Sequence, residues 1–293
     1  MRSLMGQILC HDPGMEQLEG KVAVVTGAAS GIGAALVERL AAEGMQVVAT
    51  DIEGPRADAA EPRTAQRGSH ADFLRTDVSK YDDVEALAEH AFATYGGVDV
   101  LCNNAGVFAG GLMWTRPPSD YEWVMGVNLW GILHAIRAFV PRMLERGEPG
   151  HIVNTVSMAG MLSIPYSGPY VVSKFAALAA TESLAHDLAS IGAPIKVSAV
   201  VPSLVATGIG KSGRNRPDGF AAVQSDDASF IEQALTDSTT TQGMPPAEVA
   251  GIIVDAIRTE TYLVPTKPSY ATQLQGRFDA LLARQLPPMP TID

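Results

Sequence analysis

The sequence predicts one α/β domain built on a doubly wound parallel sheet with helices on both faces. Three observations predict it. Short runs of consecutive apolar residues alternate along the chain with stretches of helical periodicity. The first such run meets a glycine-rich turn that opens a helix. The runs are also apolar throughout, as strands covered on both faces are. At 293 residues and 46% hydrophobic composition, the chain can bury one large core.

Each element follows in order. Val22-Ala23-Val24-Val25 reads as a strand, and after the glycine turn Ala34, Leu36, Val37 and Leu40 recur at helical spacing as far as Gly44. Val47-Val48-Ala49-Thr50 makes the next strand and ends at Asp51, closing a βαβ unit. The alternation continues with Phe73-Leu74 before Asp77, a helix over 82–95, a strand over 98–102, a long helix over 121–144 and a strand over 151–155. A helix over 170–191, a strand over 195–201, a helix over 246–258 and a short strand over 262–264 complete the core.

Two stretches break this rhythm. Residues 207–245 have weak periodicity, and a loop of that length in a compact domain is usually functional, so it is expected to be a substrate lid. Residues 266–293 carry an expected helix over 270–286 with proline-rich flanks and read as an arm at a subunit interface. At the other end, residues 1–17 read as a flexible extension before a catalytic domain over 18–265, with Met15 a candidate start.

A net charge of −11 repels phosphate backbones, and there is no basic stripe with interleaved aromatics, so nucleic acid is excluded as a partner. The apolar runs are broken by Gly, Pro or charge, so no membrane span is expected. Cys10 and Cys102 are the only cysteines and lack metal-ligand spacing, which points to a reducing cytoplasm and to no metal site.

Thr26-Gly27-Ala28-Ala29-Ser30-Gly31-Ile32-Gly33 lies where a strand becomes a helix, and its glycines let the backbone approach a pyrophosphate at the helix N-terminus. Asp51 follows eighteen residues after Gly33, at a position suited to accept hydrogen bonds from the adenosine ribose, with Ile52 beside it. A carboxylate there repels the 2′-phosphate of NADP, and the glycine turn carries no Arg or Lys, so NAD is expected; Arg56 keeps NADP as the less favoured alternative. Tyr170 stands four residues before Lys174 and thirteen after Ser157. An ammonium one helical turn from a phenol favours the phenolate, so Tyr170 is expected to have a lowered pKa and to serve as an acid/base near neutral pH.

Several separated motifs together resemble the short-chain dehydrogenase/reductase family in its common single-domain, Rossmann-like form, over roughly residues 18 to 265. Thr26 to Gly33 resembles that family's TGxxxGxG turn, Asp77-Val78 its adenine-holding pair, and Asn103-Asn104-Ala105-Gly106 its NNAG motif. Asn128, Ser157, Tyr170 and Lys174 resemble its catalytic tetrad, and Pro202 to Thr207 the segment that clasps the nicotinamide carboxamide. The resemblance implies cofactor contacts from Gly27, Ser30, Gly31, Ile32, Gly33, Asp51, Ile52, Asp77, Val78, Asn104, Ala105, Gly106, Tyr170, Lys174, Val205 and Thr207. It also implies that Asn128 holds a proton-relaying water, and that the protein is a homodimer or homotetramer built on the helices over 121–144 and 170–191. One departure stands out: Ser203 replaces the usual glycine after Pro202.

Phe108, Leu112, Met113, Trp114, Met158, Met161, Leu162 and Tyr166 follow these motifs and are expected to wall an apolar pocket for a hydrophobic secondary alcohol or its ketone, aromatic, steroid-like or terpenoid. Residues 248–264 and the C-terminal arm loosely resemble dehydrogenases of lignin-type benzylic alcohols. Two other readings stay open: an NAD-binding sensor or scaffold without turnover, and a non-redox family member such as a dehydratase or epimerase.

Overall fold

The computed structural model describes residues 15–54, 71–220 and 223–291. Cys10, Arg56 and most of the expected N-terminal extension lie outside them. Met15, assigned to that extension from sequence, is buried with Leu18 in a cluster containing Leu36, Leu40 and Val47, so the packed domain begins at least there.

The first half of the chain holds β1 (Val22–Thr26), α1 (Gly31–Ala42), β2 (Gln46–Asp51), β3 (Ala71–Arg75), α2 (Tyr81–Tyr95), β4 (Val100–Asn103), α3 (Pro118–Met125) and α4 (Gly131–Arg146). The second holds β5 (Gly150–Thr155), α5 (Gly168–Ser190), β6 (Ile195–Val201), α6 (Asp226–Gln242), α7 (Pro246–Thr259), β7 (Leu263–Pro265) and α8 (Tyr270–Leu282). The seven strands form one sheet in the order β3-β2-β1-β4-β5-β6-β7, and every pair is parallel. The order reverses between β1 and β4, and in such sheets ligands bind in the crevice at the carboxyl ends of the strands.

Apolar strands need cover on both sides, and the helices supply it. On one face α1 and α7 pack over Ala23, Val25, Val47, Val100 and Val153; on the other, α2, α4 and α5 pack over Val24, Val48, Leu101 and Ile152. Phe139 of α4 is fully buried in that second layer and meets Phe92 of α2 with ring centroids 6.2 Å apart.

Three elements differ from the sequence reading. The long helix expected over 121–144 runs unbroken from Pro118 to Arg146, slightly beyond both bounds, and a π-helical stretch, Gly126–Trp130, joins α3 to α4 within it. By length and composition this 29-residue helix would suffice to cross a membrane, but half of its most apolar window is buried in the protein, packed on the sheet and α2. Second, residues 207–245 are largely ordered secondary structure, a 3-10 stretch at Ile209–Asn215 and then α6. Third, α8 ends at Leu282 and the chain turns back there.

Candidate active site

Asp51, Asn103, Thr155 and Val201 end their strands on the same side of the sheet. A cavity of ≈ 330 Å³ opens along this edge. At its start, β1 hands over to α1 through a turn that only glycine can make. Gly27 sits at φ +67° with Ala105 so near that an added Cβ would lie 2.7 Å from its Cα, and a Cβ on Gly33 would lie 2.1 Å from the Gly27 carbonyl oxygen. The turn is therefore packed against its neighbours from below and open to the cavity above.

Asp51 is held at the end of β2, its carboxylate accepting hydrogen bonds from the Ala29 N–H (2.9 Å) and the Glu53 N–H (3.0 Å). Asp77 is fixed by the Ser79 hydroxyl (2.6 Å) and backbone N–H (3.1 Å). Asn104 ties β4 to the glycine turn, its side-chain amide donating to the carbonyls of Thr26 (3.1 Å) and Gly27 (3.3 Å). Ser203 does not take up the left-handed backbone that would require glycine, and its N–H donates to the Thr266 hydroxyl at 3.1 Å, so the departure at this position is accommodated. Thr207 closes over Gly31, where a Cβ would stand 2.9 Å from the Thr207 methyl.

The proposed catalytic groups come from two elements. Ser157 follows β5 and caps a 3-10 turn, its hydroxyl accepting from the Ala159 N–H at 3.1 Å. Tyr170 and Lys174 lie one turn apart on α5, and the Lys174 ammonium, 3% exposed, donates to the Thr155 carbonyl at 2.9 Å while standing 5.7 Å from the Tyr170 ring centroid. Burial pushes the Tyr170 phenol up from its ordinary value, and the Ser157 hydroxyl pulls it partly back. Burial likewise lowers Lys174 to about 8. The expectation that Lys174 lowers Tyr170 is therefore corrected: desolvation is the largest influence on the phenol and raises it.

Asn128 sits in the π-helical stretch, behind the cavity wall. Its Oδ1 accepts from the Val107 N–H (2.8 Å), and its amide donates to the Val107 carbonyl (3.0 Å) and the Ser173 hydroxyl (2.9 Å). Both amide hydrogens are thus taken by protein acceptors, and the side chain locks α5 to the loop after β4. Gly33 and Asn128 are the two expected site residues outside the cavity lining; the others named from the motifs all reach it.

The substrate end departs further from the sequence reading. Phe108, Met158 and Leu162 line the cavity as expected, with Phe108 against Tyr170 at 5.3 Å between ring centroids. Leu112, Met113, Trp114, Met161 and Tyr166 do not; Met113 and Trp114 are 57% and 81% exposed. In their place stand Trp123, Ile164, Ile231 and Leu235, together with Pro290 and Thr291 from the C-terminus. Those of α6 had a missed signal: Ser225-Asp226-Asp227 ahead of Ile231 and Leu235 is a helix start with apolar residues at i, i+4.

Side chains far apart in sequence seat the 209–242 segment. Asp120, 1% exposed, pairs with Arg216 (2.6 Å) and Arg116 (3.5 Å); Arg116 also donates to the Ser225 hydroxyl and the Val223 carbonyl, and Arg216 lies 4.3 Å over the Trp123 ring. Asp227 accepts from the Leu112 N–H (2.6 Å) and the Thr115 hydroxyl (2.8 Å), hydrogen bonds that hold its carboxyl far below the usual range. At the opposite edge Arg214 pairs with Glu53 at 2.8 Å.

A parallel sheet in this order, with a glycine turn at its switch point and a crevice at the strand ends, is the arrangement of the dinucleotide-binding α/β class. The short chain dehydrogenase family model matches residues 21–218, and the chain belongs to the short-chain dehydrogenase/reductase family. Over 192 residues, covering 65% of this chain and 70% of its relative, it is 43% identical to a 1-deoxy-11-beta-hydroxypentalenate dehydrogenase from Streptomyces avermitilis. It is 36% identical to a 3beta-hydroxysteroid dehydrogenase from Eggerthella lenta over 68% of this chain and 75% of that one. A short-chain dehydrogenase/reductase from Burkholderia phymatum, solved in complex with NAD, superimposes with a TM-score of 0.88 at 36% identity, covering 94% of this chain and 99% of that structure. These relatives support an alcohol oxidoreductase.

Proposed function

We propose that this protein is an NAD-dependent dehydrogenase that interconverts a hydrophobic secondary alcohol and its ketone, with Tyr170 as the acid/base. The observation that carries this reading is the meeting of half-buried Tyr170 and Ser157 with buried Lys174 at the wall of a cavity that continues to the glycine turn. Two of the relatives named above are a 1-deoxy-11-beta-hydroxypentalenate dehydrogenase and a 3beta-hydroxysteroid dehydrogenase, which supports the apolar substrate class, as do Phe108, Trp123, Leu162, Ile164 and Ile231 along the cavity.

The glycine turn fits a pyrophosphate, and Asp51, Asp77, Asn104, Val205 and Thr207 are the residues that would hold a nicotinamide dinucleotide. When bound, that cofactor supplies the hydride acceptor for oxidation and the donor for reduction. In oxidation Tyr170 Oη takes the hydroxyl proton of the alcohol, while Ser157 Oγ hydrogen-bonds the substrate oxygen as it becomes a carbonyl. Lys174 contributes positive charge beside the phenol, and Asn128 keeps α5 in register. Segment 209–242 acts as the lid that excludes water.

NAD is preferred over NADP because the Asp51 carboxylate is fixed at the end of β2, where a 2′-phosphate would meet like charge. The working form is a homodimer or homotetramer through the long helix that ends in α4 and through α5, which leave Trp130, at the end of the π-helical stretch, and Val172 exposed.

Following absorbance at 340 nm with NAD or NADP and a panel of aryl, steroid and aliphatic secondary alcohols tests this reading. NADH formation that Tyr170→Phe abolishes supports it. NADP preference overturns the cofactor assignment, and cofactor binding without turnover of any alcohol favours a sensor or a non-redox family member.

A further inference from the structure

The C-terminal end returns to the chain's own cavity through a series of specific devices. Two residues past the end of α8, Arg284 has a left-handed φ of 59°, with Arg284 N–H donating to the Leu281 carbonyl (3.0 Å) and Gln285 N–H to the Ala280 carbonyl (2.8 Å). This reversal sends the chain back along the helix it has just left. Pro287, Pro288 and Pro290 then fix the backbone in an extended form and remove three N–H groups that would otherwise need acceptors.

The returning segment is clasped near its end. The Gln273 side chain accepts from the Thr291 N–H at 2.9 Å and donates to the Thr291 carbonyl at 3.1 Å, pairing with one residue's backbone as a neighbouring strand would. α8 itself is anchored to the wall behind Ser157: Arg277 donates to the Met161 carbonyl (2.9 Å) and lies 5.3 Å over the Phe175 ring, while Tyr270 and Leu274 pack on Met161, Leu162 and Val201. Pro290 and Thr291 consequently line the same cavity as Met158, Leu162, Ile164 and Tyr170.

We propose that residues 287–291 form a strap that serves as the outer wall of the substrate chamber and sets the size of alcohol accepted, with Gln273 as its clasp. The proposal deepens the dehydrogenase reading and rests on it for the identity of the ligand. Pro290 and Thr291 are specificity-determining residues that leave the proton-transfer groups untouched. A rigid wall on an exposed clasp gives small alcohols a surface to pack against and restricts bulky ones.

Three full-length variants test it: Gln273→Ala opens the clasp, Pro290→Gly thins the wall, and Thr291→Trp thickens it. Two ratios are read for each. One is kcat/KM for a tetracyclic 3-hydroxysteroid over that for cyclohexanol; the other, independent of turnover, is the ratio of Kd values for the corresponding ketones by calorimetry on NAD-loaded protein. The first two variants are expected to shift both ratios at least fivefold toward the bulky compound and Thr291→Trp at least fivefold toward the small one, with the Kd for NADH within twofold of wild type. Ratios that stay within twofold in all three variants, including a proportional loss on both compounds, overturn the strap. Ketone ratios that shift in a protein forming no NADH remove the dehydrogenase reading and keep the strap, and a wild-type protein that neither oxidises nor binds either compound overturns both.

Discussion

The two ends of the cavity are built by different means. The cofactor end is made of backbone, glycine and short polar side chains: the turn from Gly27 to Gly33, the carboxylates of Asp51 and Asp77 held by nearby N–H groups, and Asn104 reaching to Thr26 and Gly27. The substrate end is made of long-range ties, with Asp120 bound to Arg216, Arg116 to Ser225, and Gln273 to Thr291. The first tolerates almost no change of shape and performs a task common to many enzymes. The second can be rebuilt residue by residue without disturbing the sheet, which lets substrate choice vary on a constant frame.

The sharpest break of this contrast is at the chemistry shared by both ends. Tyr170→Phe is expected to lower kcat about 1,000-fold while leaving NADH affinity within twofold, measured by steady-state kinetics and fluorescence titration. The same hydroxyl sets a pH dependence: with its pKa raised by burial, kcat/KM for oxidation is expected to climb steadily between pH 7 and 10 as the small phenolate fraction grows, while that for reduction stays level because the phenol remains protonated. A flat oxidation profile across that range argues against Tyr170 as the base.

Next in size is the ionic seat of the substrate end. Asp120→Ala leaves the buried Arg116 and the part-buried Arg216 without their carboxylate and is expected to cost about 3–5 kcal/mol, read by chemical denaturation. Hydrogen exchange is expected to rise first in α6 and the 209–215 stretch. Exchange that rises equally at the glycine turn would erase the distinction between the two ends.

A buried histidine under the sheet gives a smaller effect that belongs to neither end. His151 is fully buried, its Nε2 2.8 Å from the Ser198 hydroxyl, and burial lowers its pKa to about 4. Because the unfolded chain binds this proton between pH 6.5 and 4 and the folded one does not, stability is expected to fall with pH across that window, by about 1 kcal/mol at pH 5.5 and about 3 kcal/mol below pH 4. Comparing wild type with His151→Gln over that range isolates the contribution. The smallest effect is at the exposed pair: Arg214→Ala, which frees Glu53, is expected to change stability by less than about 1 kcal/mol and to raise the NADH dissociation rate in stopped flow.

What could be read from the chain follows the same division. The seven strands and the core helices announce themselves because apolar runs and helical periodicity are local patterns, and the glycine turn, NNAG motif and Tyr-Lys pair sit at fixed spacing along short segments. α6 was legible in principle from Ser225-Asp226-Asp227, yet its polar Thr-rich end masked the period. Met113 and Trp114 have the type and position of pocket walls, but adjacency in sequence to a motif does not determine which way a loop turns, and both are exposed.

The sequence by itself determined the sheet and most of the motif residues that line the cavity, since each depends on contacts within one βα unit or on motifs of a few residues. Only the tertiary structure decided that burial raises the Tyr170 phenol, that Asn128 bonds Val107 and Ser173, and that Arg116, Asp120 and Arg216 seat the 209–242 segment. It alone brought Thr291 back to the cavity through Gln273. Desolvation and contacts between residues 18 to 109 positions apart are properties of the packed molecule, and no local pattern in the chain encodes them.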